Sequence, residues 1–167
     1  WISRRDPILG HAVVSHQGHL QGGGTGGRAV TPVFTQRSVL DARSAHRAAL
    51  FTTAAMLVRG LRNQGLRVAA FKATGTGSGN DLWKLHDAGA TQVLDFVDAG
   101  LPSTYGVPVP ELEHAFTHLL TASRATGAEA VVVEIADGLN QAETAGLLCS
   151  TALRAAVTKV LFAAPDP

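Results

Sequence analysis

The chain is poor in the residues that would announce several common functions. Cys149 is its single cysteine among 167 residues, which excludes an internal disulfide and any zinc site built on cysteines. Aromatic residues make up only 5%, too few for a base-stacking platform. Charge of one sign is also missing. A formal net charge of +1 supplies no field for nucleic acid or a membrane surface, so neither is expected as a partner. No apolar run approaches the roughly 18 residues needed to span a bilayer, and no signal-peptide pattern opens the chain. A reducing, cytoplasmic setting is therefore expected, and the start at Trp1 rather than Met reads as a fragment or a processed product.

What is present is enough apolar material for a core. At 46% hydrophobic and 16% charged, a chain of this length suits one domain. Its texture changes near residue 50. Residues 1 to 50 hold six Arg, no Lys, four His and, as acids, only Asp6 and Asp41, together with the run Gly22 to Gly27. Their apolar residues keep neither period 2 nor period 3.6. Trp1 to about Thr35 is expected to be loop or poorly specified, with a short strand near Val33 to Leu40, and residues 1 to 51 as a whole to form an irregular segment outside the fold.

From Thr52 the signals agree. Ala54, Ala55, Leu57, Val58 and Leu61 mark a helix that Gly65 ends. Leu66 to Phe71 reads as a buried strand, Asp81 to Ala88 as a short helix and Thr91 to Phe96 as a strand. Pro110 opens a helix to about Ala125, closed by Gly127. Strand Ala130 to Ile135, a helix from about Gln141 to Ala152 and strand Val157 to Ala163 complete the series. Strands alternating with helices at this spacing predict a doubly wound, mostly parallel sheet, with chemistry at the carboxyl ends of its strands.

Two strand ends carry that chemistry. Lys72 follows an apolar strand and precedes the loop Ala-Thr-Gly-Thr-Gly-Ser-Gly-Asn-Asp, in which Gly75, Gly77 and Gly79 let backbone donors approach a phosphate or carboxylate. The alternative for Lys72 is a snorkelling side chain on a surface turn, and Asp81 suits a helix cap or a metal. Glu134 and Asp137, before Gly138, are the carboxylates that would hold magnesium or its waters; the alternatives are a buried ion pair and a turn aspartate. Asp95, Asp98, Ser103 and Thr104 form a third strand end and loop suited to contacting substrate, or to ordinary turn and cap roles. His86, His114 and His118 lie on helices without a third metal ligand and read as solvated.

The stretches Thr52 to Leu61, Lys72 to Trp83, Leu94 to Tyr105 and Val133 to Leu139 together resemble a bacterial P-loop domain family of unknown function whose members include D-glutamate N-acetyltransferases. A more distant likeness is to dethiobiotin synthetase. The resemblance covers about residues 52 to 163 and implies a three-layer P-loop NTPase-like α/β domain, here truncated. It further implies ATP and Mg2+ as cofactors, with Thr52, Thr53, Thr74, Gly75, Gly77 and Gly138 around the nucleotide and Thr52, Glu134 and Asp137 on the metal. Lys72 and Glu134 would be catalytic, and Asp98, Ser103 and Thr104 would contact a small carboxylated substrate. Acetyl-CoA transfer to an amino acid such as D-glutamate is the alternative activity, and a non-catalytic domain binding a metabolite or partner chain is a third. A homo-oligomer is compatible with any of them.

The family pattern also implies Gly-x-x-x-x-Gly-Lys-Thr ending at Thr52. This chain has Ala45, Leu50 and Phe51 at the two glycine positions and the lysine position. Phe51 cannot neutralise phosphate, and the two side chains obstruct close backbone approach. Either a natural variant has lost nucleotide hydrolysis, or residues 1 to about 51 arise from a shifted reading frame. A frame shift predicts that one of the other two frames of the coding DNA, across Trp1 to Arg59, yields Gly-x-x-x-x-Gly-Lys leading into Thr52. If neither frame does, the loss is genuine.

Overall fold

The computed structural model describes residues 29–35, 43–77, 79–136 and 140–163. Strands β1 (Ala29–Thr35), β2 (Val68–Thr74), β3 (Gln92–Asp95), β4 (Ala130–Ile135) and β5 (Leu161–Ala163) form one sheet in the order β3-β2-β4-β1-β5. Every pairing between them is parallel. The connecting helices are α1 (Arg43–Asn63), α2 (Gly79–Asp87), α3 (Val109–Ala125), α4 (Ala142–Cys149) and α5 (Thr151–Ala156).

The middle of the sheet is apolar on both faces, so helices must cover both. Val68 and Ala70 of β2, with Ala130 and Val132 of β4, pack against Ala54, Leu57 and Val58 of α1 and Leu85 of α2. The alternate residues Ala69 and Phe71 of β2 and Val131, Val133 and Ile135 of β4 pack against Leu112, Phe116 and Leu119 of α3, with Leu147 and Leu153 completing that side. Phe71 meets Phe116 edge to face, with ring centroids 5.7 Å apart. The result is the expected three-layer α/β architecture. Among the described residues no helix is long and apolar enough to cross a membrane.

The amino-terminal part departs from expectation. Ala29–Thr35 is a strand, and it sits inside the sheet between β4 and β5. Pro32 lacks a ladder donor, which disfavours an interior strand. It is accommodated because β1 pairs with β4 along 29–34 but with β5 only from Val33 onward. The sheet therefore has its first strand. Residues 1–28 and 36–42 lie outside the described residues, including the rest of the strand expected to Leu40.

Helix α1 starts at Arg43, nine residues before the expected Thr52, through the alanine-rich stretch Ala45 to Leu50. It ends as expected at Gly65, whose φ of 85° lets the chain turn away from the helix. The single helix expected from Gln141 to Ala152 is two, because Ser150 is extended and its hydroxyl caps α5 by accepting from the Leu153 amide at 3.1 Å. The last strand is shorter than expected, starting at Leu161.

Helices α3 and α4 approach closely at Gly146. A Cβ there would collide with Val109 Cγ2. Gly146→Ala is expected to lower stability by about 1–3 kcal/mol through overpacking, read as a lower denaturation midpoint. Adding Val109→Ala should recover most of the loss.

Candidate functional site

Strand β2 runs through Thr74, three residues past the expected end, so Lys72 lies within the sheet and not after it. In register it stands beside Glu134 of β4 and Asp95 of β3. Lys72 and Glu134 are each 1% exposed, and both fall on the face covered by α1 and α2, in phase with Ala70 and Val132. A lysine desolvated to this degree requires an anion. The nearest is Asp81 in the first turn of α2, whose Oδ2 accepts from Lys72 Nζ at 2.7 Å. The ammonium also donates to the Thr76 carbonyl oxygen at 3.0 Å. Asp81 is thus the counter-ion of Lys72, a role not read from the sequence; the available signal was a carboxylate nine residues on, at the start of a helix.

The ends of β2 and β4 are joined through one hydroxyl. Thr74 Oγ1 donates to the Ala136 carbonyl at 3.0 Å and accepts from the Ala136 amide at 3.1 Å. Thr144 of α4 donates to the same carbonyl at 3.3 Å. Gly75 follows with φ 123°, a conformation that residues bearing a Cβ rarely adopt. Its amide donates to Thr104 Oγ1 at 2.8 Å, and Thr104 Oγ1 donates to the Gly75 carbonyl at 3.3 Å. Thr76 and Ser103 form an isolated antiparallel bridge beside this contact. The glycine-rich loop and the Ser103–Thr104 loop are therefore held together.

Other expected residues are occupied locally. Asp98 accepts from the Asp95 amide at 2.9 Å, and Asp95 accepts from the Val97 amide at 2.7 Å, the turn roles weighed for them. Ser103 Oγ accepts from the Tyr105 amide at 3.2 Å. Gly77 is exposed beside Val97. His86, His114 and His118 are exposed, consistent with solvated helix faces. Asp137 and Gly138 lie outside the described residues. Among the described residues there is no group of three or more His, Cys, Asp or Glu able to hold a metal.

Thr52 and Thr53 are on α1, with Thr53 half-buried. Residues 45 to 52, which counting back from Thr52 would make the phosphate loop, are helical. The connection between β1 and α1, where this type of motif places that loop, is instead residues 36–42, and it contains neither glycine nor lysine.

Replacing Lys72 by Met leaves Asp81 buried without its counter-ion and should cost about 3–5 kcal/mol. The double variant Lys72→Met/Asp81→Leu should regain most of that stability, which chemical denaturation of the three proteins would measure.

No family model matches the chain, and no curated protein matches it. Similar solved structures do exist. Chloroplast FtsY from Physcomitrella patens is 16% identical with a TM-score of 0.56, over 93% of this chain and 46% of that one. The signal recognition particle receptor FtsY from Elizabethkingia anophelis is 15% identical with a TM-score of 0.49, over 81% and 40%. The C-terminal Sua5 domain from Pyrococcus horikoshii is 15% identical with a TM-score of 0.46, over 81% and 96%. The chain thus spans less than half the length of either FtsY, and the likeness to the chloroplast protein, with the sheet order above, identifies a P-loop NTPase-like α/β fold.

Proposed function

We propose that this chain is the P-loop NTPase-like domain of an enzyme that modifies a small carboxylated metabolite in a nucleotide-dependent reaction. The observation that carries the reading is the meeting of Lys72 and Glu134 on one face of adjacent parallel strands, below the glycine-rich loop. Ligands of open α/β sheets bind at such strand ends. In this reading Lys72 stabilises negative charge on the group being transferred, the Gly75 to Gly77 backbone lies along that group, and the Ser103–Thr104 loop borders the substrate. Glu134 would hold magnesium with Asp137 and Thr52, and magnesium would neutralise nucleotide phosphates. The resemblance to D-glutamate N-acetyltransferases points to an amino acid such as D-glutamate as substrate. It also keeps acetyl-CoA as the donor in the alternative activity.

A specific observation favours a second reading, a non-catalytic metabolite-binding domain: the β1–α1 connection lacks glycine and lysine. The two readings separate in one experiment. The purified chain is incubated with D-glutamate and either ATP with Mg2+ or acetyl-CoA alone, and release of phosphate or of free coenzyme A is followed. Phosphate release dependent on substrate, and reduced about 100-fold or more in Lys72→Met, is the expected result. Coenzyme A release without ATP selects acetyl transfer. Substrate binding with neither product, unchanged in Lys72→Met, selects the non-catalytic domain.

A further inference from the structure

Two acceptors of the Lys72 ammonium come from the segment that follows Lys72 itself, the Thr76 carbonyl and the Asp81 carboxylate. Thr76 and Gly77 are exposed, whereas Lys72 and Asp81 are 1% and 4% exposed. The lysine is closed off by its own loop. A cation held at contact distance by a carboxylate exerts little net attraction on a second anion, and at least two of its three N–H donors are already in use.

Asp81 has somewhere else to go. It is the third residue of α2, acidic in the first turn, where the amides of a helix start lack intrahelical partners and the helix dipole favours negative charge. A carboxylate with two favourable environments, one on Lys72 and one at the helix start, gives the loop two arrangements that a ligand can bias.

We propose that Asp81 is an internal competitor for a phosphate group at Lys72, so that the ligand-free site is held shut by the Lys72–Asp81 pair and opens when phosphate takes the ammonium. The inference rests on the reading of Lys72 as an anion ligand. A phosphate group is the fitting occupant because its extra charge outweighs that of Asp81. A single carboxylate would exchange like for like and leave the opening of the loop uncompensated.

The test is calorimetric titration of the wild-type chain, Asp81→Asn and Lys72→Met with inorganic pyrophosphate, with circular dichroism to establish folding. Asp81→Asn is expected to bind at least about tenfold more tightly than the wild type, and Lys72→Met to lose binding. Equal or weaker binding by Asp81→Asn, with binding still lost in Lys72→Met, overturns the competition and leaves Lys72 as an anion ligand. No binding by the wild type and Asp81→Asn, or undiminished binding by Lys72→Met, overturns both. Should Asp81→Asn fail to fold, hydrogen exchange of the wild type decides. Pyrophosphate should speed exchange of the amides of residues 75–82, and unchanged or slower exchange there overturns the proposal.

Discussion

The pairing of β2 with β4 is the constraint on which the rest of the structure depends. Both strands are buried along their whole length, so their sequences must be apolar on both faces and both helical layers must close over them. The small residues Ala69 and Ala70 in β2 stand beside the bulkier Val131 and Val132 in β4, and Phe71, beside Val133, fills the space toward α3. Where these strands end, burial continues, and the polar groups there have no water to fall back on.

That continuity explains the site. Lys72 is fixed by Asp81 and Thr76, Thr74 satisfies both backbone groups of Ala136, and Thr104 satisfies both those of Gly75. Each contact removes an unsatisfied buried polar group and at the same time fixes one strand end relative to the next loop. Stability and site geometry are therefore not separable here. The hydroxyls that finish the sheet also place the glycine-rich loop against the Ser103–Thr104 loop, and the buried ion pair sets the state of the lysine that the proposed chemistry uses.

Much of this was legible in the chain. Strand Ala130 to Ile135 was read with its observed limits, because a run of apolar β-branched residues bounded by turn signals has few alternatives. Pro110 at the start of α3 and Gly65 after α1 were equally direct, since each acts through its own backbone. The amino-terminal half of α1 and strand β1 were missed for a different reason. Pro32 and the preceding glycine run weigh against a strand locally, and only pairing with β4 and β5 overrides them. The break at Ser150 was hidden by helix-forming neighbours on both sides, and depends on one hydroxyl finding the Leu153 amide.

By itself the sequence determined the alternation of strands and helices, the apolar centre of the sheet and the residue types gathered at its carboxyl edge, because these follow from local periodicity and from the cost of burying charge. Tertiary structure alone decided that β1 enters the sheet beside β4, that Lys72 lies within a strand, and that its counter-ion is Asp81. Those outcomes depend on contacts between segments distant in the chain or across a loop, where the energy of a pair is set by burial and geometry that no local pattern records.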